Sequence, residues 1–370
     1  MIHLNNAAGS WPKPAAVIDA AISALRDSST APGRGGGSCD VNGCRIVASR
    51  FFGANDPKLT IFTSGATESL NLVIHGLPID DGNVVTTANS HNAVLRPLYM
   101  ARDCRNVKLD IVACDNLGRI NPIDVVNAIN SKTKAVVLTH ANNVTGACLD
   151  LKPIVDVTQR LNIPLVLDAS QSAGLIPINM VKQGIDILCV AGHKNLLGSP
   201  GTGLMILRDA GLIKPWKTGG TGISGLSEEP PIESPWRFEP GTPNLIGIAA
   251  LRAGITEVES IGQTILYNRL SNLTSQVAEG LIKMNGIQVY YIPGSSVLAC
   301  SHKDINPDDI ALILEQNYGI MVRAGLHCAP LLHKYIGCPL GTLRISPGIF
   351  NTQKDIEMFL NAMKQIIENL

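Results

Sequence analysis

The chain of 370 residues exceeds the usual size of a single domain, so a large domain and a smaller one are expected. Its composition is 45% hydrophobic and 16% charged, with 30 basic residues balancing 30 acidic ones, which describes a compact protein and gives no electrostatic footing for nucleic acid or an anionic membrane surface. Nine cysteines scattered among apolar residues read as reduced thiols, and no basic segment leads into an apolar one near the start, so a cytoplasmic protein without a membrane span is expected.

Residues 1–14 read as an extended entry broken by Pro12 and Pro14, and 15–27 as a helix with Val17, Ala21, Ile22 and Leu25 on one side. The glycine-rich stretch 31–38 suits a surface loop or a mobile flap beside a site. From residue 59 strands alternate with helical segments. Strands are expected at 59–62, 84–87, 109–112, 135–139, 164–168, 187–191 and 204–207, and helices at 121–130 and 154–161. That alternation implies βαβ units and a mostly parallel sheet. Residues 214–243, rich in glycine, proline and serine, form a long crossing loop whose length points to an interface or a functional role. A long helical stretch over about 245–284 follows. Short strands at 289–292 and 296–299 and helices near 307–316 and 352–369 complete a smaller α+β unit. The expected division is 15–245 for the large α/β domain, with 1–14 and 246–370 in the small one.

Polar residues stand directly after several of these strands, where open α/β sheets gather their chemistry. Lys194 follows the apolar run 187–191, and a partly desolvated amine there can lose its proton and join a carbonyl as a Schiff base. Gly65-Ala66-Thr67 lies at a strand-to-helix turn, where backbone N–H groups cradle a phosphate, or Ser64 or Thr67 simply caps the helix. Asp168 suits both a helix cap and a partner for a cationic ring nitrogen. His91 could stack on a flat ring, and Asn142 and Asn143 could donate to a ring hydroxyl or shape a turn. As a set, these groups fit pyridoxal phosphate.

The chain resembles the fold-type I pyridoxal-phosphate enzymes of aminotransferase class V, the cysteine desulfurases and selenocysteine lyases among them. The resemblance rests on Thr63-Ser64-Gly65-Ala66-Thr67-Glu68, Ser90-His91-Asn92-Ala93, Asn142-Asn143-Val144-Thr145-Gly146, Asp168-Ala169-Ser170-Gln171, Gly192-His193-Lys194, the stretch Arg237 to Asn244, Arg323-Ala324-Gly325-Leu326-His327-Cys328, and Leu343-Arg344-Ile345. It implies a seven-stranded-type, mostly parallel sheet in the large domain. It implies a pyridoxal 5'-phosphate cofactor held by Ala66, Thr67, His91, Asn143, Asp168, Gln171, His193, Lys194 and, toward a partner subunit, Thr242. Lys194, Cys328 and His91 would be catalytic; Arg344, Arg323 and Asn143 would bind the substrate. The implied reaction takes cysteine, or selenocysteine, to alanine with a persulfide on Cys328. It implies a homodimer and a sulfur-acceptor protein as partners. A thiolate at Cys328 would be favoured by Arg323 or a protonated His327.

The sequence departs from the pattern at Ala191, where relatives carry a hydroxyl toward the phosphate, and at Asn5, where they carry aspartate. No paired Cys-x-x-Cys spacing accompanies Cys328, His327, His333 and Cys338, so no metal is expected. Two other readings stay open: another class V reaction (C–S β-lyase, transamination or epimerisation) and an inactive scaffold in a sulfur-transfer complex.

Overall fold

The computed structural model describes residues 1–26, 40–223 and 226–369; the glycine-rich stretch 31–38 lies outside the described residues. In chain order the elements are β1 (Ile2–His3), α1 (Ala15–Arg26), α2 (Val41–Phe51), β2 (Thr60–Thr63), α3 (Ala66–Gly76), β3 (Asn83–Thr87), α4 (Asn92–Arg105), β4 (Lys108–Val112), α5 (Pro122–Ala128), β5 (Thr133–Thr139), α6 (Lys152–Leu161), β6 (Leu165–Asp168), β7 (Ile187–Ala191) and β8 (Gly203–Leu207). Then follow α7 (Leu245–Ile261), α8 (Gln263–Leu281), β9 (Ile287–Tyr290), β10 (Leu298–His302), α9 (Pro307–Tyr318), β11 (Ile320–Met321), β12 (Arg323–Gly325), α10 (Pro330–Tyr335), β13 (Thr342–Ile345) and α11 (Gln353–Glu368).

The large sheet has seven strands in the order β2-β8-β7-β6-β5-β3-β4. Only β8 runs against its neighbours; the other pairings are parallel. Its apolar runs are buried on both faces, as strands of a parallel sheet must be. Alternation within the runs divides them between two cores. Val85, Val136, Leu165, Leu167 and Leu188 face one; Val84, Ala135, Val137, Val166 and Ile187 face the other. A one-residue slip of any strand would exchange these sets, so the register is tightly specified.

The α-helix α7 packs with α1 and α2, and its Leu251 and Ile255 enter the first of these cores. In α1 the buried residues are Val17 and Ala24, while Ile18, Ile22 and Leu25 are exposed. The contact is a narrow i, i+7 seam rather than the broad stripe expected from the sequence. The stretch expected as one helix over 245–284 is two, divided at Gly262, whose φ of 90° no ordinary helical residue adopts. A second sheet, β12-β13-β10-β9, is antiparallel, and β1 pairs with β11 beside it. Leu298, Cys300, Leu343 and Ile345 of that sheet pack with α8, α9 and α11 around Phe359.

Gly203 of β8 passes so near the turn after β2 that a Cβ on it would lie 2.5 Å from the Gly65 Cα. Only glycine permits that approach, which seats the α3 N-terminus against the sheet.

Candidate active site

The parallel strands β2, β3, β5, β6 and β7 end on one edge of the large sheet. The residues that follow them therefore converge: Gly65 to Thr67 after β2, His91 after β3, Asn143 after β5, Asp168 at the end of β6, and Lys194 after β7. They line a cleft with an empty volume of about 920 Å³, joined by Arg323 and Arg344 from the small sheet. Gln171, His193 and Ala191 line it too, as do Ala7 and Ala8 of the N-terminal segment. Of the residues singled out in the sequence, Thr242 is exposed on the 214–243 loop and Cys328 is half-buried in the turn after β12; neither lines this cleft.

Burial pulls the Lys194 ammonium down to about 8, and Arg344 and Arg323 add to the effect, while Asp168 and Cys328 oppose it. An amine in that range is a base and a nucleophile near neutral pH. Asp168 is buried and its Oδ1 accepts from the backbone N–H of Ser170, at 3.0 Å, and from the Ser170 hydroxyl. No protein donor among the described residues reaches Oδ2. The Asp-x-Ser pattern is a known local turn signal, so Ser170 was readable from the sequence.

His91 caps α4, its Nδ1 accepting from the Ala93 N–H at 2.9 Å. That bond fixes the proton on Nε2. Burial, followed by Lys194, lowers His91 to about 4, so the ring is neutral and offers an N–H. His193 is likewise lowered to about 4, first by burial and then by Lys194 and Lys13, and its Nδ1 is buried without a partner. The carbonyl of His193 accepts from the Ser10 N–H and from the Lys13 ammonium, at 3.1 and 3.0 Å, so the N-terminal segment clamps the turn that carries Lys194. Gln171 joins this clamp by donating to the Ala7 carbonyl at 2.9 Å.

Asn143 ties the two sheets together. Its side chain donates to the His327 carbonyl at 2.7 Å, and its own carbonyl accepts from Arg344 Nη1 at 3.1 Å. Arg344 is 1% exposed, donates from Nη2 to Asn5 Oδ1 at 2.9 Å, and has a buried Nε without a partner. Both acceptors are neutral, so a buried guanidinium keeps its full charge facing the cleft. Burial, and then Arg323, depress it to about 9. Asn5 was noticed in the sequence as a departure; only the structure shows it as the partner of Arg344.

The turn carrying Cys328 is strained. His327 and Cys328 both have positive φ, 48° and 57°, a conformation costing about 1–3 kcal/mol at each non-glycine residue. Cys328 is held from the start of α4 by its carbonyl, which accepts from the Asn92 N–H at 2.7 Å. The expectation of a protonated His327 is overturned. Burial, with Arg344 next, drives its imidazole to about 2, so it is neutral and lends no charge to the thiol. Arg344 and Arg323 are the fixed cations on this side of the site.

The donor set fits pyridoxal phosphate. The α3 N-terminus has no side-chain cap, and a Cβ on Gly65 would meet nothing within 4 Å, which leaves open space and free backbone donors for a phosphate. A protonated pyridine nitrogen would give Asp168 Oδ2 the donor it lacks. Ala191 lines the same cleft and contributes no hydroxyl.

Residues 2–359 match the family described as aminotransferase class-V, and the chain belongs to that family. Among curated proteins it is 30% identical over 383 residues to a "probable cysteine desulfurase" of Halalkalibacterium halodurans, covering 100% of this chain and 93% of that protein. A protein of Methanothermobacter thermautotrophicus with the same description is 27% identical over 376 residues, covering 98% and 94%. Among solved structures, the apo cysteine desulfurase of Thermococcus onnurineus NA1 superposes with a TM-score of 0.93 at 29% identity, covering 100% of this chain and 95% of that one. The cysteine desulfurase of Escherichia coli superposes at 0.91 with 25% identity and the same coverage.

Proposed function

We propose that this protein is a pyridoxal-phosphate-dependent cysteine desulfurase that moves the sulfur of L-cysteine onto Cys328 and releases L-alanine. The observation that carries the reading is that Lys194, Asp168 and Arg344 converge on one cleft, while Cys328 stands on the adjoining turn after β12, tied to α4 by the Asn92 N–H at 2.7 Å.

Pyridoxal phosphate, when bound, supplies the electron sink that lets the Cα–H bond of an amino acid ionise. The protein's residues do the rest. The α3 N-terminus with Ala66 and Thr67, together with His193, would receive the phosphate, and Asp168 would keep the ring nitrogen protonated. His91 would lie against the ring as a neutral imidazole. Arg344 grips the substrate carboxylate, with Arg323 and Asn143 beside it. Lys194, with its lowered basicity, takes the proton from Cα. The Cys328 thiolate then attacks the substrate sulfur. An S–S bond forms as the Cβ–S bond breaks, the electron pair passes to Cβ, and reprotonation gives alanine. Cys328 ends as a persulfide, oxidised by the two electrons that Cβ has gained.

The same grip suits selenocysteine, which presents the same carboxylate and amine. A second copy of the chain would bring its exposed Thr242 toward the phosphate, so a homodimer in the cytoplasm is the expected form. A persulfide on a half-buried cysteine calls for a protein that accepts the sulfur. No helix among the described residues is long and apolar enough to cross a membrane.

The test is incubation of the purified protein with pyridoxal phosphate and L-cysteine, measuring alanine, pyruvate and protein persulfide in wild type and Cys328→Ala. Alanine with a persulfide that the substitution removes supports the reading. Pyruvate formed equally by both would replace it with a C–S β-lyase, and no product with no cofactor absorption band would leave a scaffold.

A further inference from the structure

Two consecutive non-glycine residues with positive φ, His327 and Cys328, need something to hold them there. Their backbone is gripped from outside the small sheet, His327 through Asn143 and Cys328 through Asn92, both at 2.7 Å. A third hold comes from within the small sheet. His327 Nε2 lies 3.0 Å from the Thr342 carbonyl and 3.1 Å from its hydroxyl. A carbonyl only accepts, so Nε2 carries the hydrogen and the buried, partnerless Nδ1 carries none.

A second histidine sets the direction of the remaining bond. His333 Nδ1 meets the Ala329 carbonyl at 2.9 Å, so it too must donate, which leaves His333 Nε2 as an acceptor 3.2 Å from the Thr342 hydroxyl. The threonine therefore gives its proton to His333 and keeps its lone pairs for His327. Every hydrogen in the chain Ala329, His333, Thr342, His327 is assigned, and all three side chains are buried.

We infer that His327 is a positioning residue for Cys328: locked as a neutral imidazole to Thr342, and oriented through it by His333, it fixes the strained turn and so the direction of the thiol, and it carries no proton in the reaction. The inference rests on the reading that Cys328 accepts the sulfur. Thr342 does not line the cofactor cleft and makes no hydrogen bond to Cys328. Burial beside Arg344, His333 and Arg323 keeps the ring from charging, which agrees with the hydrogen-bond assignment.

The experiment uses the holoenzyme of wild type, Thr342→Val, Thr342→Ser and His327→Asn. Asparagine tolerates positive φ but cannot reach Thr342, so it separates relief of strain from loss of the anchor. Three quantities are read: single-turnover persulfide formation from L-cysteine, the pH profile of Cys328 alkylation by iodoacetamide, and the affinity for L-alanine from the cofactor's absorption. His327→Asn, which loses both bonds to residue 342, is expected to slow persulfide formation by ~10–100-fold, the usual result of misplacing a reacting atom by about 1 Å, and Thr342→Val, which keeps the carbonyl that Nε2 donates to, should slow it less. They should also change the pH-independent alkylation rate while leaving the alkylation midpoint and L-alanine affinity in place. Thr342→Ser should recover most of the lost rate. A midpoint that rises in His327→Asn, with sulfur transfer falling in proportion to thiolate, overturns the inference in favour of an ionising His327. Thr342→Val behaving as wild type in transfer and alkylation overturns it as well. If wild type itself forms no persulfide, the sulfur-acceptor reading fails, and the pH-independent alkylation rate alone still decides for or against positioning.

Discussion

The two walls of the cleft are built on different principles. On the large-sheet wall each functional group follows a parallel strand, so its place is set by strand register and by the common edge where the strands end. On the small-sheet wall Arg344 lies within an antiparallel strand, and beside that wall, outside the cleft lining, Cys328 sits on a turn with two residues of positive φ. On the first wall no functional side chain sits on a residue with positive φ, although Leu197, in the turn that carries Lys194, has a φ of 62°. The second spends strain and several long-range bonds on aiming one thiol. In the proposed reaction the difference matches a division of labour: the large-sheet wall would suit any amino-acid reaction on the cofactor, and the small-sheet side would decide which bond breaks.

That comparison can be broken most severely at Lys194. Lys194→Ala is expected to remove the covalent hold on the cofactor and lower turnover on the order of 10³-fold, because nucleophile and base are lost together; loss of the cofactor's absorption band and of alanine formation would be measured. An active Lys194→Ala would show that the large-sheet wall had been misread. Cys328→Ser should abolish persulfide and cysteine-to-alanine conversion yet leave the cofactor band and L-alanine binding as they are, which isolates the second wall.

Arg344→Gln tests the joint between the walls. A charge-assisted hydrogen bond contributes about 1.5–3 kcal/mol, so KM for cysteine should rise roughly 10–150-fold with a smaller change in kcat. Cysteamine, which lacks the carboxylate, should show no such rise, and a rise there would mean that the substitution had disturbed the fold instead.

The mildest effect concerns pH and is read at Lys194, on which burial in the large-sheet wall acts first and the arginines of the small-sheet wall also act. Lys194 is a weaker base in the fold than in water, lowered to about 8. Below that pH the amine is an ammonium and cannot attack the cofactor aldehyde; above it the amine is free. Loading of the apoprotein with pyridoxal phosphate should therefore speed up by about tenfold from pH 7 to pH 9 and level off, as followed by absorption. A rate still climbing steeply beyond pH 9 would show that burial does not act on this amine as stated.

Much of the first wall was legible in the sequence for a local reason. Gly65, His91, Asp168 and Lys194 each stand within a few residues of an apolar strand, so finding the strand locates the group. Thr242 was legible only as part of a segment; its exposure on a loop, away from the cleft of its own chain, appears in three dimensions. The split of the 245–284 helix at Gly262 was available in the sequence, since glycine is a poor helix former, but neighbouring apolar periodicity masked it.

The sequence by itself determined the sheet, its alternating cores and the identities of the groups at the strand ends, because those follow from short-range periodicity and position. Tertiary structure alone decided the protonation of His327, the neutral partners of Arg344 and the chain from His333 through Thr342. These depend on burial and on contacts between residues far apart in the sequence, such as Asn5 with Arg344. A histidine beside a reactive cysteine reads as an acid or a base until the depth of its burial and the carbonyl facing its ring are known.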